Sequence, residues 1–183
     1  MQLSAPPPVG PGFRLADVDP DAHPGIEDKA AAEAYVKDTA EEFADLQERF
    51  FAEARSGGTR SLLLVLQAMD TAGKGGIIRH VVGSVDPQGV RLAAFKKPTP
   101  EELEHDFLWR IEKKLPAPGM IGVFDRSHYE DVLIGRVRQL APEDEIERRY
   151  GAINEFEKRV IDSGTRIVKV MLHISEDEQK SRL

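Results

Sequence analysis

The stretch Ser61-Leu62-Leu63-Leu64-Val65-Leu66-Gln67-Ala68-Met69-Asp70-Thr71-Ala72-Gly73-Lys74-Gly75-Gly76 decides how this chain folds. Leu62–Leu66 is an unbroken apolar run, as in strands buried on both faces of a parallel sheet, and a strand is predicted over Ser61–Gln67. A loop of small residues follows, then Lys74, then a helical pattern over Ile77–Val85. Strand, loop, lysine and helix N-terminus in that order build a phosphate cradle. Backbone N–H groups point at the anion, the helix dipole favours negative charge, and the lysine adds a point charge. Ala72, Gly73, Lys74, Gly75 and Gly76 are therefore candidate phosphate-binding residues, with Arg79 one turn into the helix. Two positions depart from the nucleotide-binding loop pattern: Ala68 stands at the first glycine, and Gly75 replaces the Ser or Thr after the lysine. With no hydroxyl at 75, a magnesium ion needs another protein ligand. Asp70 is a carboxylate inside a loop built for phosphate, where like charges are costly unless a cation intervenes. Asp70 is read as working through that metal; the plainer alternative is a turn aspartate bonded to loop amides.

Outward from this stretch, strands and helices alternate. Before it, a helix begins near Glu27 with Val36, Ala40, Phe43 and Phe50 on one face, and Gly57-Gly58 ends it. After it come a strand at Val90–Phe95, a helix capped by Thr99-Pro100-Glu101-Glu102 and running to about Leu115, and a strand at Gly119–Phe124. A short helix at Tyr129–Arg138 follows. Pro142 opens a long one with Ile146, Tyr150, Ile153, Phe156, Val160 and Ile161 on one face. Arg166–Ile174 is a fourth strand, and Ser175 with Glu178 is a capping box for a last helix. The pattern implies an α/β protein with three layers, α/β/α, around a parallel sheet, and ligands beyond the carboxyl ends of the strands. Residues 1–25 hold six of the twelve prolines together with Gly10, Gly12 and Gly25, and are expected to form a Pro/Gly-rich arm, leaving 26–183 as the folded core.

At the end of the third strand stands Asp125-Arg126-Ser127-His128-Tyr129-Glu130-Asp131. An aspartate closing an apolar strand beside a phosphate loop is a magnesium-holding position in phosphoryl-transfer enzymes. Arg126 brings a guanidinium suited to bidentate phosphate contacts into the same crevice. Asp131 falls in the first turn of the next helix, where it either acts at the site or complements the helix dipole. His128 is read as structural, Glu130 as a solvated or capping charge. Lys96 and Lys97 follow the second strand at the same carboxyl edge, and Arg136, Arg138, Arg148 and Arg149 flank the third-strand crevice and the helix after it; Lys96, Lys97 and Arg136 are candidate phosphate- or nucleotide-binding residues.

Composition sets outer limits. The chain has 183 residues, 40% hydrophobic and 31% charged, a length that fits one domain with a sizeable core. No apolar run approaches the roughly 20 residues of a membrane span, and the start lacks the pattern of a secretory signal. The absence of cysteine excludes disulfides and thiolate metal sites and fits a reducing, cytoplasmic setting. A net charge of −7 argues against nucleic acid as a partner; residues 60–140 nonetheless carry a net +2 against −7 for residues 1–59, so a small anion can find local cations there.

Together with Phe95-Lys96-Lys97-Pro98-Thr99, His105-Asp106-Phe107-Leu108-Trp109-Arg110, Ile153-Asn154-Glu155-Phe156-Glu157 and Leu172-His173-Ile174-Ser175, the two loop sequences closely resemble the type-2 polyphosphate kinases, in order, over roughly residues 30 to 183. The resemblance implies a thymidylate-kinase-like P-loop kinase fold. It implies reversible phosphoryl transfer between inorganic polyphosphate and a nucleoside mono- or diphosphate, with magnesium or manganese, and a tendency to self-associate. By motif, Lys74 would contact the transferring phosphates, Asp70 and Asp125 would hold the metal or the acceptor phosphate, Arg126 would stabilise transition-state charge, and Asp131 would help orient the acceptor. The family continues beyond the position of Leu183 into a cationic lid, so the 183 residues are expected to be C-terminally short of the family pattern and to turn over poorly by themselves. Two other readings share these residues: an ATP-dependent P-loop kinase of another metabolite, and a phosphate-binding module with little turnover.

Overall fold

Four apolar strands lie side by side in the order β2 (Val90–Ala94), β3 (Ile121–Asp125), β1 (Ser61–Ala68) and β4 (Thr165–Leu172), and every neighbouring pair is parallel. The computed structural model describes residues 9–23 and 25–183, so part of the expected 1–25 arm lies outside the described residues. No helix among the described residues is long and apolar enough to cross a membrane.

Side chains alternate across a strand, so a continuous apolar run loads both faces of the sheet. On one face Leu63 and Val65 of β1, Ala93 of β2 and Phe124 of β3 pack against Val132 of α5 (Glu130–Val137) and Ile153, Phe156 and Val160 of α6 (Glu143–Asp162). On the other, Leu62, Leu64, Leu66, Ile121 and Val123 meet Phe50 of α1 (Lys29–Arg55) and Ile77 and Ile78 of α2 (Lys74–His80). The three-layer α/β/α arrangement follows. Phe95 and Phe124 meet edge to face, with centroids 4.9 Å apart, under the carboxyl edge of β2 and β3. Gly122 admits Pro116 beside β3, since a Cβ there would lie 2.9 Å from the proline Cδ and 3.2 Å from Leu63.

Several expected elements change shape. The helix opening at Thr99 keeps its reciprocal capping box but stops after one turn, α3 (Pro100–Leu103), and resumes as α4 (Trp109–Glu112) instead of running on to Leu115. The break is made by Asp106, whose carboxylate accepts from the Leu108 amide at 3.0 Å, while Phe107 and Leu108 turn into the core. The helix expected over Ile77–Val85 ends at His80 and passes into a 3-10 turn at Val82–Ser84. On α6, Ile146, Ile153, Phe156 and Val160 are buried as expected, but Tyr150 (41% exposed) and Ile161 (55% exposed) lie outside the covered stripe. On α1 the expected face residues Ala40, Phe43 and Phe50 are half-buried, but Val36 is exposed, whereas Gln47 is buried and Ala54 closes on Gly119. The last helix, α7 (Glu176–Arg182), is capped by Ser175 accepting from the Glu178 amide, but the Glu178 carboxylate pairs forward with Arg182 instead of completing the expected box.

Burial separates two α6 positions in stability. Phe156→Ala is expected to cost about 3–5 kcal/mol in chemical denaturation, and Ile161→Ala roughly 0.5 kcal/mol or less.

Candidate active site

The parallel register pairs Leu66 of β1 with Asp125 of β3. The loop that leaves β1 and the carboxylate that closes β3 therefore emerge side by side. The Arg126 amide donates to the Leu66 carbonyl at 3.0 Å, and the Arg126 guanidinium reaches to 3.6 Å from the Asp70 carboxylate. Asp70, Asp125 and Arg126 thus share one corner. Arg126 holds φ at +63°, a left-handed conformation that a non-glycine residue adopts at a cost of about 1–3 kcal/mol.

The loop itself curls through Thr71 (φ +66°) and Gly73 (φ +104°), the second a conformation that suits glycine. The Gly76 and Ile77 amides both turn back onto the Gly73 carbonyl, at 2.9 and 3.2 Å, and Lys74 opens α2. A Cβ added at Gly73, Gly75 or Gly76 would meet no heavy atom within 4 Å, so the glycines border open space. From behind, α7 braces the loop: Gln179 donates to the Asp70 carbonyl at 3.0 Å and Arg182 to the Thr71 carbonyl at 3.2 Å. Arg79 is exposed further along α2.

One oxygen at this corner has no partner. Asp125 Oδ1 is buried and accepts no hydrogen bond among the described residues. Such an atom is costly unless a ligand or cation completes it. Magnesium is held by one or two carboxylates plus phosphates and water, a pattern that Asp125 with Asp70 can supply. No cluster of three or more His, Cys, Asp or Glu suited to a metal exists among the described residues.

The remaining sequence candidates divide. Lys96 and Lys97 line a cavity of about 320 Å³ with Thr99, Glu102, Arg110 and Lys114. Asp131 turns away from open solvent: its carboxylate lies 3.3 Å from Arg110 and 3.9 Å from Arg149. Burial pushes the Asp131 carboxyl up, against the pull of the two arginines. Arg110, itself buried, also donates to the Lys96 carbonyl at 2.8 Å, so Asp131 is joined to the lysine loop through one guanidinium. Arg136 pairs with Glu147, lies over the Tyr150 ring at 5.5 Å, and lines a separate cavity of about 600 Å³ between α5 and α6 that includes no residue of the phosphate loop.

The sequence assigns no individual role to Gln179 or Arg182, nor to Arg110 or Glu157, which stand only within the family-like strings. Glu157 had a legible signal, a carboxylate inside the apolar stripe Ile153, Phe156, Val160. Glu157 Oε1 accepts from Tyr129 Oη at 2.6 Å and from His128 Nε2 at 3.2 Å, and Oε2 accepts from Lys169 Nζ at 2.8 Å. Burial alone would raise this carboxyl, but hydrogen bonds from His128, Lys169 and Tyr129 bring it down to about 2.

Residues 26–183 match the family described as polyphosphate kinase 2 (PPK2). The chain belongs to that family. Among PPK2 relatives it is 45% identical over 172 residues to the AMP/ADP-polyphosphate phosphotransferase of Meiothermus ruber, covering 93% of this chain and 63% of the relative. It is 42% identical over 171 residues to the ADP-polyphosphate phosphotransferase of Rhodopseudomonas palustris, covering 87% of this chain and 58% of that one. The crystal structure of polyphosphate kinase 2 from Arthrobacter aurescens TC1 superposes with a TM-score of 0.92 at 62% identity, over 95% of this chain and 62% of that chain. The fold is therefore P-loop-kinase-like, and the chain spans about three fifths of the length of these PPK2 proteins.

The Glu157 carboxyl dictates an acid transition. Its folded-state value lies below the ordinary carboxylate value, so the stability it contributes is present above about pH 4.5 and lost as pH falls toward 2. Chemical denaturation between pH 6 and 2.5 is expected to show that loss, and Glu157→Gln to flatten it.

Proposed function

We propose that this chain carries the core of an enzyme moving the terminal phosphoryl group between inorganic polyphosphate and a nucleoside mono- or diphosphate, with magnesium or manganese. The observation that carries the reading is the buried, unpartnered Asp125 Oδ1 beside Arg126 and Asp70 at the mouth of an open glycine cradle. Support comes from the name of the Meiothermus ruber relative, an AMP/ADP-polyphosphate phosphotransferase.

Phosphoryl transfer asks for in-line placement and for charge neutralisation at the shifting oxygens. Lys74 and the amides of Gly73 and Gly75 would bind the transferring phosphates, while the Ala72 and Gly76 amides shape the loop by turning onto the Met69 and Gly73 carbonyls, with Arg79, Lys96 and Lys97 on neighbouring phosphates of the same polyphosphate. Asp70 and Asp125 would hold the divalent ion, which when bound neutralises phosphate oxygens and fixes their orientation. The acceptor's terminal phosphate oxygen forms a bond to the transferred phosphorus as the bond to the donor oxygen breaks, with no phospho-enzyme between. Arg126 would meet the charge that develops on the transferring group. Asp131 would act on the acceptor side indirectly, through Arg110 and the Lys96–Lys97 loop, and Arg136 would contact nucleotide from the outer cavity. A cytoplasmic location and association between copies go with this reading; nucleic acid and membrane do not.

Phosphorylation of AMP, ADP and GDP, measured in parallel with polyphosphate or with ATP as sole donor, tests the proposal. Product formation that needs polyphosphate supports it. Transfer from ATP to a metabolite with no use of polyphosphate would assign an ATP-dependent kinase, and calorimetric binding without transfer would assign a binding module. Lys74→Ala is expected to lower kcat by about 10²–10³-fold, as for removal of one electrostatic group from a transition state.

A further inference from the structure

The segment that carries Asp125 and Arg126 is pinned from below by groups that touch no part of the phosphate cradle. Ser127 and His128 are both 0% exposed. Ser127 Oγ accepts from the Tyr129 amide at 3.2 Å, tightening the turn into α5. The His128 ring lies against Tyr129, with centroids 4.5 Å apart, and edge-on to Phe156 at 5.4 Å. Both rings then hand their polar ends to a single carboxylate, Glu157 of α6, and Lys169 of β4 closes the set by donating to Glu157 at 2.8 Å and to Tyr129 Oη at 3.0 Å. An ionised carboxylate accepts only, so His128 Nε2–H donates to it, and Nδ1 is left buried without a partner among the described residues. The turn before α5 and strand β4 therefore converge on one acid of α6.

The arrangement has a cost that packing alone does not explain. A carboxylate buried with two ring donors and a half-exposed lysine seldom stabilises more than a well-packed apolar cluster of the same volume. What it offers is direction: the His128 and Tyr129 donors share one acceptor, and Lys169 bridges that acceptor and Tyr129 Oη. A left-handed Arg126 persists only where its surroundings over-determine it. The Leu66 carbonyl fixes the Arg126 amide at one end of the turn, and the Glu157 hub fixes the turn from its other end.

We propose that Glu157 is a positioning residue, which through His128, Tyr129 and Lys169 holds the 126–129 turn so that Asp125 and Arg126 face the phosphate loop. Its consequence for turnover rests on the function proposed above; the geometric claim does not.

The test compares Glu157→Gln with the unsubstituted 183-residue chain by hydrogen exchange and by transfer kinetics. Glutamine keeps the volume but presents an amide N–H₂ where a donor must be accepted. Exchange across residues 124–132 is expected to rise about tenfold while residues 61–68 stay within about twofold, the pattern of a local opening. Under polyphosphate-dependent transfer, kcat is expected to fall about tenfold or more with the nucleotide KM within about twofold, since misplacement of catalytic groups slows the bound complex. Equal loosening of both segments would overturn the proposal, and so would local loosening with unchanged kcat. If the unsubstituted chain shows no polyphosphate-dependent transfer, that result bears on the proposed function and not on Glu157, and the exchange contrast alone decides the role of Glu157. Should Glu157→Gln not fold, Tyr129→Phe and Lys169→Met take its place: each removes one bond to the hub, and exchange over 124–132 no faster than in the unsubstituted chain would overturn the proposal.

Discussion

Parallel pairing of β1 with β3 in the register Leu66 to Asp125 is the constraint from which the site follows. Parallel strands end at the same edge of the sheet, so the loop after β1 and the carboxylate that closes β3 must emerge together. A one-residue slip would exchange the faces of the sheet, sending Phe124 toward α2 and Ile121 and Val123 toward α6. The apolar content of both faces thus fixes the register, and the register sets the separation of Asp70, Asp125 and Arg126. Burial on both faces and placement of the corner are one and the same commitment of the backbone.

Charge is handled in three ways around that corner. At the mouth it is left open: the glycines border free space, and one Asp125 oxygen has no partner. Beside it, Asp131 is enclosed by Arg110 and Arg149, and Arg110 extends to the lysine loop after β2. Beneath it, Glu157 gathers three donors from the turn before α5 and from β4. Arrangements of the last two kinds are costly to bury and directional once buried, which suits groups that position others. The chain is acidic overall, so the cationic character of the site is local, as the net +2 of residues 60–140 requires.

Much of this was legible in the chain itself. The apolar run Leu62–Leu66, the glycine-rich loop, the capping box at Thr99 and the strand-ending Asp125 each depend on neighbours a few residues away, and each appears where those neighbours put it. Membership of the PPK2 family rests on the match over residues 26–183. Departures arose where a distant contact competed with a local pattern. Asp106 interrupts a helix that periodicity would continue, because Phe107 and Leu108 find the core only if the chain turns there. Tyr150 and Ile161 match the helical period of α6 but lie beyond the width that the sheet covers.

By itself, the sequence determined the order of the strands, the parallel α/β/α class and the glycine-rich loop after β1, since these follow from short-range periodicity, turn chemistry and composition. The tertiary structure alone decided which charges meet. Asp131 with Arg110, Arg136 with Glu147, the brace from Gln179 and Arg182, and the gathering of His128, Tyr129 and Lys169 on Glu157 all join residues that lie on separate elements. The physical reason is range: hydrophobic period and capping act within a few residues of the chain, whereas an ion pair acts across space, and only packing of the layers brings its partners within reach.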